Sequence, residues 1–165
     1  MLKKLKTLPV ILRLAALVLA IVAFCMMFGA NVNYVSDNII TGKSSATLPI
    51  FGDSDAGIEA VGGVIVGYIL ILVGGLVPVA TALLLKNKTI DLVAVAAAII
   101  MVVVGAILVF CAASLFKSVN GDGTFTFSGI ASGKYELGAG AVVGGILAIV
   151  AALANAGSVV LGLKK

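Results

Sequence analysis

Four apolar stretches dominate this chain, and each is at least as long as the ~20 residues that an α-helix needs to cross a bilayer. They run from Leu8 to Ala30, from Ala60 to Leu85, from Ile90 to Phe116 and from Leu137 to Leu163. Backbone groups inside a bilayer must be satisfied within the protein, which favours helices. The sequence therefore predicts an all-α membrane protein, a four-transmembrane-helix bundle that forms one domain over residues 1–165.

The composition agrees with a membrane environment. Hydrophobic residues make up 62% of the chain and charged residues 11%, whereas soluble domains have about 45–50% and about 25%. The net charge of +4 comes from basic residues beside apolar runs and not from a basic face with interleaved aromatic rings. We therefore expect the lipid bilayer as a partner and no binding of nucleic acid.

The distribution of lysine and arginine predicts how the helices are oriented. With the N-terminus inside, the cytoplasmic segments hold eight of the eleven basic residues and one of the seven acidic residues. Basic residues near the ends of spans are enriched on the cytoplasmic side. We expect a plasma-membrane protein with both termini cytoplasmic and outer loops at 31–59 and 117–136. Cleavage of the first stretch as a secretory signal is the alternative, but Phe24 and Phe28 occupy positions where the cleavage patterns require small residues.

Small residues at helical spacing mark faces along which two helices can pack closely. Because lipid tails are as apolar as leucine, close backbone contact has to supply helix association in a membrane. The second stretch carries such residues at Gly63, Gly67 and Gly74. The fourth carries a ridge with four-residue spacing, formed by Gly140, Gly144, Ala148 and Ala152. These faces either pack within one subunit or, on the fourth helix, dock a second copy or another membrane protein.

Few polar residues lie inside the predicted spans. Pro78 lacks an N–H and should bend the second helix, either as a static kink or as a hinge. We expect Arg13 to extend along its aliphatic stem toward the cytoplasmic headgroups. Asn155, Thr81 and Tyr68 are among the remaining polar groups. Since transport pathways usually contain charged residues within the membrane, a pathway through one subunit is not expected.

The outer end of the predicted bundle carries the aromatic residues and two loops with strand patterns. All ten aromatic residues fall in the outer half or in the outer loops. Segments 45–51 and 123–128 have strand character, the second as a clean polar and aromatic alternation. We predict a small extracellular β cap formed by the two outer loops, with Phe51, Phe125 and Phe127 in it and the last two facing the helix ends or the membrane.

Four helices with strands in both outer loops resemble claudin-like tetraspan proteins in outline. The first outer loop here has no tryptophan and no cysteine pair, which are the signature of those proteins. The resemblance therefore implies an architecture and carries no functional residues over to this chain.

The sequence offers little for catalysis or for metal and cofactor binding. Histidine is absent, and with it the commonest metal ligand and general base. The segment Gly138–Gly144 has three residues between its second and third glycines and lacks the βαβ context of a dinucleotide site. The acidic segment Asp53–Glu59 either binds a hard cation or caps the second helix. We expect capping, and thus no metal, no cofactor and no enzyme.

Local signals predict the helix starts and the state of the cysteines. Ser54 or Asp55 should cap the second helix, with Thr89 capping the third and Ser132 the fourth. Cys25 and Cys111 should lie at similar depth, either as two buried thiols or as a disulfide.

The small-residue ridges, the scarcity of charge within the membrane and the aromatic outer end predict a protein that acts by association. It would be an accessory subunit or a homo-oligomer, and it would present the outer cap to a partner. The alternative is a small transporter or channel subunit with a pathway formed between copies, near Tyr68, Pro78 and Asn155.

Overall fold

The computed structural model of the protein describes residues 8–38, 42–84, 87–121 and 131–163. This part of the chain is mostly helical and includes four helices that are long and apolar enough to span a membrane. They are α1 (Leu8–Cys25), α2 (Gly62–Leu84), α3 (Lys88–Phe110) and α5 (Ala139–Leu163). A 3-10 turn, Met26–Phe28, extends the first span. Four candidate spans and their approximate positions are thus confirmed.

The four long helices pack in a ring in which α1, α2, α3 and α5 follow one another, so that α1 lies diagonally across from α3. Side chains that face out of the ring are apolar and exposed, such as Val18, Ile100, Ile107 and Leu153. Such a continuous apolar surface is typical of helices that contact lipid or another protein. The core inside the ring consists mainly of small and β-branched residues, including Ala20, Ile71, Val102, Ala106 and Ala148.

Glycines allow α2 and α3 to approach until their backbones touch. A Cβ atom on Gly67 would lie 3.0 Å from the carbonyl oxygen of Gly105, and one on Gly74 would lie 2.8 Å from that of Ala98. The predicted small-residue face of α2 therefore packs against α3 of the same chain. Gly63, the third member of that face, lies beside Leu115.

The small-residue ridge of α5 is also occupied within the chain. Gly140 packs on the carbonyl oxygens of Met26 and Ala30, and Gly144 packs on the ring of Tyr68. Ala148 and Ala152 are buried in the common core. Within one copy this ridge faces the bundle interior and not the lipid.

A three-stranded antiparallel sheet stands at one end of the bundle, here named the sheet end. It consists of β1 (Val32–Asn38), β2 (Gly42–Leu48) and β3 (Ala131–Leu137), in the order β2-β1-β3. Tyr34 pairs with Ala46 on one side and with Tyr135 on the other. The first two strands come from the first predicted outer loop and the third from the second loop, so the prediction of one sheet joining both loops is confirmed.

The strand positions differ from the prediction. The second strand begins at Gly42, three residues before the expected segment 45–51, and Pro49 lies just beyond its end. Ser132 lies in β3 and does not cap the fourth helix, which begins at Ala139. The first N–H groups of that helix are satisfied by backbone carbonyls instead, since Gly138 donates to Asn31 at 2.8 Å and Gly140 to Ala30 at 2.6 Å. Residues 123–128 lie outside the described residues.

The third apolar stretch is divided into two helices. Helix α3 ends at Phe110, and after Cys111 a short helix, α4 (Ala112–Asn120), turns to lie against β1 and β3. Its buried residues are Ala112 and Phe116. The Phe116 ring packs on Tyr135 with centroids 5.0 Å apart.

Two further helix starts also differ from the prediction. Asn87, not Thr89, caps α3, because its side-chain oxygen accepts from the Thr89 N–H at 3.0 Å. The expected cap at Ser54 or Asp55 is wrong, since α2 begins at Gly62. Residues 53–58 instead form a tight turn in which the Asp53 carboxylate accepts the Asp55 N–H at 3.0 Å. Gly57 completes the turn with a φ of 66°.

Replacing Gly74 by alanine should destabilise the bundle by ~1–3 kcal/mol, because the new methyl group would overlap Val102 and the backbone of Ala98. The matched control is Gly62→Ala in the same helix, where a Cβ meets nothing within 4 Å. Thermal unfolding in detergent should show a lower midpoint for Gly74→Ala only. Equal midpoints for the two variants would contradict the close α2–α3 contact.

Candidate functional site: the Arg13 pocket

Arg13 lies buried in the bundle at the end opposite the sheet. Its guanidinium group forms a bidentate pair with Asp91 of α3, with N–O distances of 2.7 and 2.8 Å. The Nε atom donates to the hydroxyl of Ser158 on α5 at 3.3 Å, and Nη1 donates to the carbonyl oxygen of Pro78 on α2 at 3.1 Å. One side chain from α1 thus binds all three other long helices.

These partners meet because each of them lies near the same end of the bundle. Arg13 lies in the second turn of α1 and Asp91 in the first turn of α3, so both lie near the same end of the ring. The ion pair spans the diagonal between these helices. Pro78 contributes its carbonyl oxygen, which also accepts from the Thr81 hydroxyl at 3.2 Å. Arg13 therefore binds the backbone at Pro78, the residue predicted as a static kink or a hinge. A hinge role for Pro78 stays a prediction.

Desolvation makes this pair a strong constraint on the fold. The Arg13 side chain is 8% exposed and that of Asp91 is 24% exposed. Taking a charge out of water costs several kcal/mol, which only well-aligned partners offset. Four of the five guanidinium N–H groups are used by described residues, so the charge is closely matched by acceptors.

A pocket of about 260 Å³ opens beside the ion pair, and we name it the Arg13 pocket. Its polar lining consists of Arg13, Asn87, Lys88, Asp91 and Ser158. Its apolar lining comes from Pro9, Val10, Ala82, Leu92, Val159, Gly162 and Leu163. The pocket therefore combines charged groups at the bundle end with walls that belong to the membrane-facing helices.

The expectation that Arg13 extends out of the bundle along its own stem is wrong, because its side chain is buried and bonded to α2, α3 and α5. An arginine has enough reach to leave the core, but Asp91 offers a nearer and fixed partner for its charge. A sequence signal for this pair existed. Arg13 and Asp91 are the only charged residues inside the four predicted apolar stretches, and they have opposite signs at the same predicted depth.

Asn155 lies one turn from Ser158 on α5 and is fully buried. Its carbonyl oxygen accepts from the Ser158 hydroxyl at 2.7 Å. Its side-chain amide has no hydrogen-bond partner among the described residues. The residue is therefore a buried polar group in the core, one helical turn from the Arg13 cluster.

A second buried polar cluster lies toward the sheet end. The Asn31 amide nitrogen donates to the carbonyl oxygens of Met27 and Gly29 at 2.9 Å, which satisfies the end of the first span. Its oxygen accepts from the Tyr68 hydroxyl at 2.5 Å. Tyr68 in turn lies against Gly144 of α5. Sequence reasoning missed Asn31 because it follows the apolar stretch and has no motif around it.

The aromatic residues lie toward the sheet end. This holds for all eight aromatic residues in the part of the chain that the structure describes. Phe28 and Phe51 stack with ring centroids 5.6 Å apart, and Phe24 meets Phe28 edge-on at 6.4 Å. Phe28 is 71% exposed and Phe51 is 46% exposed. Phe125 and Phe127 lie outside the described residues, and Tyr135 and Phe116 fill the space between the sheet and the bundle.

The remaining candidate residues do not form a chemical site. Cys25 and Cys111 are both free, and both are exposed, so the prediction of buried thiols is wrong. Within the described ranges no group of three or more Asp, Glu or Cys side chains is placed to hold a metal ion. Comparisons with known protein families, with curated proteins and with solved structures found no match for this chain.

Breaking the ion pair on one side should cost more than removing both charges. Arg13→Met leaves a carboxylate without its partner, and we expect it to lose about 3 kcal/mol, the lower end for buried pairs, because Asp91 is 24% exposed. Asp91→Asn leaves the more deeply buried charge and should lose at least as much. The double variant should lose less than either single variant. Denaturant unfolding in detergent measures all four proteins, and additive losses would contradict direct coupling.

Proposed function

We propose that this protein is a non-enzymatic integral membrane protein that acts by association with a protein partner in the same membrane. The partner is another membrane protein, which makes this chain an accessory subunit, or a second copy. The contact is the sheet end, and in particular the exposed Phe28–Phe51 stack. That stack is the single observation that carries the proposal.

The one-sided placement of the aromatic residues supports this use of the sheet end. An interfacial aromatic belt normally forms at both membrane surfaces, whereas the Arg13 end has no aromatic residue among the residues described. Phe28 and Phe51 come from separate segments and meet only in the folded chain. Exposed aromatic rings held in a fixed position are typical anchors of protein interfaces.

The sheet end is held firmly enough to serve as a binding surface. Asn31 and Tyr68 join the first span to α2, and Gly138 continues this link to α5. On the other side, the Asn120 side chain accepts from the Glu59 N–H at 2.7 Å and donates to its carbonyl oxygen at 3.2 Å. A surface fixed before binding loses little entropy when a partner docks.

The bundle interior gives less support to a transport function. Between the Arg13 and Asn31 clusters the buried side chains are mostly apolar, with Ala20, Ile71 and Val102 near the centre. Tyr68, Pro78 and Asn155 are all buried inside one copy, so a pathway between copies would need other residues. The side-chain amide of Asn155, which has no hydrogen-bond partner among the described residues, is the feature that favours the alternative of a transporter or channel subunit.

We also propose that the sheet end is extracellular, with both termini in the cytoplasm of a plasma-membrane protein. The excess of basic residues in the predicted cytoplasmic segments supports this orientation. In a chain with Cys25 and Cys111 replaced by serine, single cysteines at the exposed positions Asp55 and Asn87 report on the two ends. A membrane-impermeant thiol reagent added to intact cells should label Asp55→Cys only. Labelling of Asn87→Cys alone would reverse the orientation.

Removing the aromatic stack should dissociate the proposed complex without unfolding the protein. We expect Phe28→Ala with Phe51→Ala to weaken partner recovery at least tenfold, the loss that truncating interface anchors typically causes. Ile100→Ala with Leu153→Ala is the control, because it removes similarly exposed apolar groups from the middle of the bundle. Native mass spectrometry in mild detergent measures the mass of the assembly and distinguishes a second copy from another protein.

Two results would contradict the association proposal. One is an assembly of unchanged mass and recovery in the aromatic double variant. The other is solute flux into liposomes that contain the purified wild-type chain, since a closed bundle predicts none.

A further inference from the structure

We propose that the Arg13 pocket binds the headgroup of an anionic phospholipid, with its phosphate between Lys88 and Arg13. This site lies at the opposite end from the Phe28–Phe51 stack and needs no protein partner. It requires only that the four helices span a bilayer, which places the pocket at the depth of the headgroups.

The charges that line the pocket match a single negative charge. Among the described residues that line it, Arg13 and Lys88 are the cations and Asp91 is the one anion, which leaves one net positive charge. Asp91 neutralises Arg13 in the bidentate pair, so the exposed Lys88 supplies the excess. A phosphodiester carries one negative charge and balances this excess. Basic pockets between transmembrane helices are known to bind anionic headgroups.

The hydrogen-bonding capacity of the pocket points to the same ligand. The guanidinium group retains one N–H beyond the four used by described residues. The pocket also lies at the N-terminal turn of α3, where the helix dipole favours an anion. Together with the Lys88 ammonium group, these groups provide donors for the phosphate oxygens.

The apolar lining distinguishes a lipid from a free anion. Pro9, Val10, Leu92, Val159 and Leu163 surround the polar groups. Leu163 is 69% exposed and Leu92 is 38% exposed, so the walls continue into the outer surface of the bundle. A headgroup can therefore enter while its acyl chains remain in the membrane along α1 and α5.

Gly162 gives a steric test that does not disturb the fold. It lines the pocket, and a Cβ at this position would meet nothing within 4 Å. Gly162→Leu should therefore fill the entrance while the helices pack as before. Gly62→Leu is the matched control, because Gly62 is equally unobstructed and lies at the sheet end.

The experiment measures lipid binding to the full chain in detergent by native mass spectrometry and by the thermal unfolding midpoint. The probes are phosphatidylglycerol, phosphatidylcholine and inorganic phosphate. Wild-type protein should bind phosphatidylglycerol in preference to phosphatidylcholine and should unfold at a higher temperature with it. Lys88→Gln should weaken this binding about fivefold, and Gly162→Leu should abolish it. Lys134→Gln, which removes a charge at the sheet end, and Gly62→Leu should bind as the wild type does.

Three results would overturn the proposal. The first is equal binding of the two lipids, and the second is unchanged binding in both Lys88→Gln and Gly162→Leu. The third is stabilisation by inorganic phosphate that matches that of phosphatidylglycerol, which would make the ligand a free anion. Loss of the protein complex in the Phe28 and Phe51 variant leaves all these readouts unaffected, so the two proposals fail independently.

Discussion

A guanidinium group that is buried among apolar helices must be surrounded by acceptors, and in this protein the acceptors come from three different helices. Arg13 reaches Asp91 on α3, Ser158 on α5 and the Pro78 carbonyl on α2. Apolar side chains in lipid pack almost equally well in several rotations. A charged group with directional hydrogen bonds fits in only one arrangement. The bonds of Arg13 therefore fix the rotation of α1 and α3 and the depth of α2 and α5.

The bundle thus has two polar ends joined by a tightly packed apolar middle. The Asn31–Tyr68 hydrogen bond defines the sheet end and the Arg13–Asp91 pair defines the other. Between them, Gly67, Gly74 and Gly105 bring α2 and α3 into backbone contact. Close contact in the middle gives a favourable dispersion energy, while the polar groups specify which helices meet. The surfaces left for partners are the lipid-facing helix sides and the two ends.

The sequence predicted the long helices well because their signal is continuous over many residues. All four spans were placed within a few residues at most ends, and the exception was the third, which turns at Cys111 into α4. A sheet that joins the two loops was predicted, but its strands lie at other positions than expected. Ser132 has the chemistry of a helix cap, yet pairing with β1 determines its conformation. The conformation of Ser132 depends on a strand nearly 100 residues away, and no local sequence pattern indicates that pairing.

The residues of the candidate site also depend on contacts that local sequence does not reveal. Arg13 and Asp91 were visible as the only charges within the apolar stretches, but their pairing requires the ring order of the helices. Asn31 carried no signal at all, because its role depends on the carbonyl groups of a chain turn and on a tyrosine from α2. Packing glycines were easier to find, since their spacing is a property of one helix.

The separation of the ion pair along the chain has a consequence for biosynthesis. Arg13 precedes Asp91 by 78 residues, and at ~5–20 residues per second the ribosome needs on the order of 4 to 16 seconds to make that interval. Throughout this time the newly made first helix holds a cation whose counterion does not yet exist. Its final rotation against the other helices therefore has to await the third helix, so the earliest segment to be made is among the last to settle.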